Sequence, residues 1–187
     1  MINRITPPAG HAVSSSIVRA VQLAVWAHNS VRQTRRYTGE PYWVHPAAVA
    51  ARVARVPLHT PDMIAAAWLH DVVEDTPVDM GDIHRLFGSS VAALVDDLTD
   101  VSRPGDGNRR TRKQIDLEHT AQASDAAKTI KLADLIDNAQ SIFRYDPKFA
   151  PVYAREMRNL LPVLLTGDSA LHKQATGILQ DFFSAVA

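Results

Sequence analysis

The chain has 187 residues, 46% hydrophobic and 21% charged, enough to bury the core of one soluble domain. Lys plus Arg balance Asp plus Glu at 20 each, so net charge points to neither a nucleic-acid binder nor an acidic tail. Cysteine is absent, which excludes disulfides, zinc ribbons and thiol nucleophiles and leaves any metal to His, Asp and Glu.

The first ten residues hold Arg4, Pro7 and Pro8 but no apolar run, unlike a secretory signal. No stretch nears the roughly 18 apolar residues of a membrane span. The expectation is a cytoplasmic protein with an extension over residues 1–13 and one domain over residues 14–187.

In chain order, Ser14, Ser15 and Ser16 can cap a helix carrying Ile17, Val18, Val21, Leu23, Ala24 and Val25. Over residues 29–39 the apolar pattern stops, and Arg32, Arg35 and Arg36 make a donor-rich loop. Residues 40–46 read as extended, with Pro46 in the first turn of a helix reaching Val53. Thr60-Pro61-Asp62 opens another helix, predicted to end at Asp71 to Asp75. Short amphipathic helices follow over residues 82–87 and 89–98, split at Gly88. Residues 99–108, with Pro104, Gly105 and Gly107, read as a mobile loop. Residues 109–122 suit a partly exposed polar helix. Ser124 and Asp125 start a helix reaching about Phe143, and helices over 150–165 and 169–187 close the chain. No run shows the period-two alternation of a strand, so the fold class is all-α.

The densest chemistry lies in Trp68-Leu69-His70-Asp71-Val72-Val73-Glu74-Asp75-Thr76. On one helix, His70, Asp71, Glu74 and Asp75 would share an arc of roughly 140°. Buried imidazoles and carboxylates are costly unless neutralised, so a cation is expected there. His45 and Asp134 also lie at or beside apolar helices. Two imidazoles and two carboxylates suit manganese, iron, cobalt or zinc better than calcium. Lys131, Asp134 and Asn138 are spaced by three and four, so one helix face offers a cation, a ligand and an amide. Singly, a His before proline is an ordinary turn residue and an Asp in a helix an ordinary surface group. Lys131 is as readily a structural ion pair as a phosphate contact. Arg32, Arg35, Arg109, Arg110, Arg112 and Lys113 read as a solvated charge cluster.

The combination of His45, His70-Asp71 and a distant Asp134 resembles the HD superfamily of metal-dependent phosphohydrolases. Residues 70–76 resemble the signature of the RelA/SpoT hydrolase domain. Arg36, Glu40-Pro41-Tyr42 and His45-Pro46 resemble one further motif of that family, and Ile130-Lys131-Leu132-Ala133-Asp134 with Asn138 another. The resemblance covers about residues 21–143. It implies a single-domain helical HD fold of the stand-alone small alarmone hydrolase type, using manganese to remove the 3′-pyrophosphate from (p)ppGpp or (p)ppApp. By that likeness, His45, His70, Asp71 and Asp134 would be the metal ligands, with other divalent transition metals open. Glu74 and Asp75 would orient or deprotonate the attacking water. Asn138 would contact the ribose or 3′-phosphate, and Arg36 would lie against the base.

The chain also departs from the family pattern. Tyr37 stands where Lys often follows the arginine, offering a substrate a ring and a hydroxyl instead of a cation. Leu135 replaces a basic residue, and Asp137 stands where many members have His or Tyr. The expected partner is a small nucleotide, with no nucleic acid and no membrane, and the last two helices leave a homodimer face open. Alternative readings are an HD-type phosphatase acting on NADPH or a nucleoside monophosphate, and a non-catalytic nucleotide sensor.

Overall fold

Helix α8 (Asp125–Tyr145) buries residues on nearly every face, with α2, α3, α6, α9 and α10 packed against it. The computed structural model describes residues 14–186, and the extension expected over residues 1–13 lies outside them. The helices before α8 are α1 (Ser14–Ser30), α2 (Val44–Val53), α3 (Pro61–Leu69), α4 (Val72–Asp75), α5 (Met80–Phe87), α6 (Ser89–Leu98) and α7 (Arg109–Gln122). After it come α9 (Ala150–Leu160) and α10 (Ser169–Val186). Among the described residues the only extended pairing is an isolated bridge between Thr34 and Pro41, so the all-α expectation holds.

The packing follows from the sequence. Helix α3 is buried through Met63, Ala65, Ala66, Ala67 and Leu69, and its three alanines let α1, α2, α6 and α8 approach closely. Its start is the predicted one: Thr60 accepts the Met63 N–H at 3.2 Å, with Pro61 in the first turn. Ser124 caps α8 in the same way, accepting from Ala127. Gly88 lies at φ +81°, ending α5 and beginning α6 in a conformation an L side chain resists. Helix α1 closes with Arg32 at φ +53° and Gln33 N–H bonded back to the His28 carbonyl at 3.0 Å. This turn aims Gln33 towards α4.

Two helix ends and one loop differ from expectation. The helix expected to end at Asp71 to Asp75 stops at Leu69, and α4 starts afresh at Val72. The His70 ring folds back onto the Ala67 carbonyl at 2.8 Å, engaging an acceptor that a continuing helix would use. The helix expected to reach Leu165 ends at Leu160 and tightens into a 3₁₀ turn over Leu161–Leu164, where Pro162 cannot donate to the ladder. The 99–108 segment is pinned: Ser102 bonds Asp116 through its N–H and hydroxyl at 2.9 and 3.0 Å, and Lys113 reaches Asp100 at 2.6 Å.

The turn before α10 rests on α8. A Cβ at Gly167 would lie 2.9 Å from Leu132 Cδ1 and 3.1 Å from the Lys128 and Thr129 backbone. The next residue, Asp168, donates its N–H to Thr129 Oγ1 at 3.0 Å.

Candidate metal centre

Three elements bring the four predicted ligands together. His45 comes from the first turn of α2, His70 and Asp71 from the break between α3 and α4, and Asp134 from the middle of α8. His45 Nε2 lies 3.1 Å from Asp134 Oδ1 and 3.6 Å from Asp71 Oδ2. His70 Nε2 lies 3.1 Å from Asp71 Oδ2 and 3.7 Å from Asp134 Oδ1. The two rings meet edge to face, with centroids 5.1 Å apart. Both imidazoles are buried, at 1% and 2% exposure, while Asp71 and Asp134 retain a small opening to solvent.

The second nitrogen of each ring fixes what the first can do. His45 Nδ1 is 2.7 Å from Asp137 Oδ2, and His70 Nδ1 is 2.8 Å from the Ala67 carbonyl. Both partners are acceptors, so each Nδ1 carries the proton and each Nε2 presents a bare lone pair. Both Nε2 atoms are buried without a hydrogen-bond partner and face carboxylates. Lone pairs set against lone pairs repel unless a positive charge lies between them. Burial disfavours charging either ring, yet the facing carboxylates more than offset it, and both imidazoles are drawn above their usual range. Burial would raise Asp134, but the two imidazoles that face it and the Lys131 ammonium hold it well below the ordinary carboxylate range. The cluster therefore demands a proton or a cation. His45, His70 and Asp71 are grouped closely enough to hold a metal ion, and Asp134 Oδ1, 3.1 and 3.7 Å from the two Nε2 atoms, completes an N₂O₂ donor set that fits a divalent transition ion.

Tyr42 donates its hydroxyl to Asp71 Oδ2 at 2.6 Å, while burial and that carboxylate hold it far above the usual phenol range, so it remains a donor. Asn138 Nδ2 donates to Asp134 Oδ1 at 2.6 Å. Lys131 Nζ lies 3.7 Å from Asp134 Oδ2; burial opposes its charge, but Asp134, Asp100 and Glu74 keep it an ammonium.

The cluster's carboxylates, Asp71 and Asp134, form the foot of a cavity of about 760 Å³ lined further by Glu74, Lys131 and Asn138 and by α7 and α9, while the buried His45 and His70 do not line it. Glu74 accepts the Asp100 N–H at 2.8 Å. Enclosure by the cavity walls, then the nearby Asp100 carboxylate, push its carboxyl up to about 7. Asp75 accepts from Gln33 Nε2 at 2.8 Å, Gln33 in turn pairs with His28 Nδ1 at 2.7 Å, and Asp75 is not in the cavity lining. Arg36 and Tyr37 also stand apart from the lining: Arg36 covers the Tyr37 ring, which stacks with Tyr145, and the Tyr37 hydroxyl donates to Asp146 at 3.0 Å.

Several site residues were not singled out from the sequence. Arg109, Arg110 and Lys113, read as a solvated charge cluster, stand in the cavity wall. Asp137, read as a departure from the family pattern, bonds His45 and is met by Arg35 at 3.1 Å and Arg52 at 3.7 Å. Burial would raise its carboxyl, but the bond to His45 and the two guanidinium groups hold it below the ordinary range. The available signal was spacing: Asp137 lies three residues after Asp134, on the same helix face.

A helical scaffold that buries two bare imidazole nitrogens against two carboxylates at the foot of an open cavity defines the class: a protein with a divalent-metal site. A family model described as HD domain matches residues 20–163, and the chain belongs to that family. It is 35% identical over 132 residues to a guanosine-3′,5′-bis(diphosphate) 3′-pyrophosphohydrolase, MESH1 of Drosophila melanogaster, covering 69% of this chain and 70% of that one. It is 34% identical over 146 residues to the bifunctional (p)ppGpp synthase/hydrolase SpoT of Escherichia coli K12, covering 75% of this chain but only 20% of SpoT. A solved structure of a metazoan ortholog of SpoT that hydrolyzes ppGpp superposes with a TM-score of 0.80 at 27% identity, covering 92% of this chain and 98% of that one.

Proposed function

We propose that the protein hydrolyses the 3′-pyrophosphate of an alarmone nucleotide, (p)ppGpp or (p)ppApp, releasing pyrophosphate and a nucleoside 5′-di- or triphosphate. The observation that carries this reading is the pair of bare Nε2 atoms facing Asp71 and Asp134 at the foot of a cavity walled by Lys and Arg. The activities named for the MESH1 and SpoT relatives agree with it.

His45, His70, Asp71 and Asp134 would hold the ion, with Mn²⁺ the proposed metal. When bound, such an ion supplies Lewis acidity to phosphoryl oxygens and makes water acidic enough to ionise near neutrality. The rest falls to the chain's own side chains. Glu74, with its carboxyl pushed up to about 7, is matched to take a proton from water at neutral pH. The water oxygen bonds to the phosphorus carried on O3′, and the P–O3′ bond breaks with its electron pair going to O3′. That oxygen needs one proton, which is what Glu74 has gained. Lys131 and the α7 cations offset phosphate charge, and Asn138 keeps the Asp134 carboxylate aimed inward.

Incubating the manganese-loaded protein with ppGpp, ppApp and NADPH and separating product phosphates by ion exchange tests the reading. Pyrophosphate from ppGpp or ppApp is the expected result. Orthophosphate from NADPH alone would transfer the site to a phosphatase reaction, and no product from any of the three would end the hydrolase reading.

A further inference from the structure

His45 and His70 present equivalent Nε2 atoms to the cluster, but their Nδ1 partners differ in kind. His70 donates to a neutral carbonyl three residues earlier, that of Ala67 near the end of α3. His45 donates across to α8, to the Asp137 carboxylate, at 2.7 Å. That carboxylate is itself held. Arg35 reaches its Oδ2 at 3.1 Å and is anchored on Ser141 Oγ at 3.1 Å. Arg52 approaches its Oδ1 at 3.7 Å and is anchored on Gln140 Oε1 at 2.7 Å.

An anionic partner on Nδ1–H does two things that a carbonyl does less well. It commits the ring to the tautomer with a bare Nε2, and it pushes electron density towards that nitrogen, strengthening it as a donor to a metal. We infer that Asp137 is the positioning residue of the metal centre, making His45 its stronger imidazole ligand, with Arg35 and Arg52 fixing the carboxylate from behind. This rests on reading His45, His70, Asp71 and Asp134 as a metal site, but not on which nucleotide is cleaved. A carboxylate that merely tied the Arg35 loop to α8 would need only the two arginines, and would have no reason to meet the buried ring.

The test compares Asp137→Asn with wild type by Mn²⁺ competition against a fluorescent chelator, alongside thermal unfolding of the metal-free proteins. Asn can still accept from Nδ1–H but lacks the charge. The expected result is a Mn²⁺ Kd raised about 10-fold or more, within the roughly 10–100-fold span typical of such partners. At saturating Mn²⁺ the turnover rate should return towards wild type. An affinity unchanged to within about twofold, with only the unfolding temperature lowered, overturns the inference and leaves Asp137 a structural ion pair. A wild-type protein that binds no divalent ion overturns it together with the metal site. Mn²⁺ binding without pyrophosphate release would end the hydrolase reading while the affinity comparison still decides on Asp137. If Asp137→Asn does not fold, proton NMR of zinc-loaded wild type decides: the His45 Nδ1 proton should resonate far downfield, as in a short charge-assisted hydrogen bond, and its absence there overturns the inference.

Discussion

The two sides of the cavity are built in opposite ways. The foot, with the two imidazoles packed against it, is made of side chains from α2, the α3–α4 break and α8, which are largely packed into the core. The wall opposite is shared by α7 and α9, and its charged part is α7, a polar helix that buries only Asp116 and Thr120 and is cross-linked by ion pairs such as Arg109–Glu156 and Lys113–Asp100. Packing fixes the foot, so its atoms can hold a geometry to a few tenths of an ångström. The wall is held by interactions that water and salt weaken, so it can adapt to what enters. Reaction chemistry belongs to the first region and substrate affinity to the second.

Substitutions can break that division or sharpen it. The largest effect should come from the foot. His70→Ala removes one bare Nε2, and losing metal charge stabilisation worth several kcal/mol should lower kcat by about 10³-fold or more at any substrate concentration, read by pyrophosphate release. Glu74→Gln, at the junction of foot and wall, should lower kcat by about 10²-fold or more, the usual contribution of a general base. It should also change the pH profile. The Glu74 carboxyl is pushed up to about 7, so its carboxylate form is lost as pH falls through that value and the wild-type rate should drop on the acid side. A bound dication favours the carboxylate and moves this limb lower, and in the variant the limb should vanish. The smallest effect should come from the wall. Arg110→Ala should raise KM by about fivefold with kcat unchanged, because an exposed charge contact is worth at most about 1 kcal/mol. Rising salt should narrow the difference. A kcat loss in Arg110→Ala as large as that in Glu74→Gln would erase the division between the two regions.

How much could be read from the sequence follows the same boundary. The helices of the foot were legible because their signals are local: Thr60-Pro61 and Ser124 cap, and the apolar runs between them need burial. His45, His70, Asp71 and Asp134 stood out because imidazoles and carboxylates inside apolar segments need a partner. The break at His70 was not legible, since it depends on a ring turning back to Ala67, which no periodicity reveals. Asp137 was hidden for another reason. Its partners His45, Arg35 and Arg52 all lie some eighty or more positions away in the chain, and α2 and α8 bring them together only in the fold. Arg109, Arg110 and Lys113 were obscured because α7 is polar all round, and polarity alone does not separate a cavity wall from a solvated face.

Gly167 ties the remotest part of the chain to this chemistry. The turn before α10 sits so close to Leu132, Lys128 and Thr129 that even a methyl group there needs the Leu132 side chain to turn aside and the α8 backbone to give slightly. In a mutational screen scored on activity, position 167 would register although it touches none of the ligands. Its lesion would be mechanical, felt through the helix that carries Asp134.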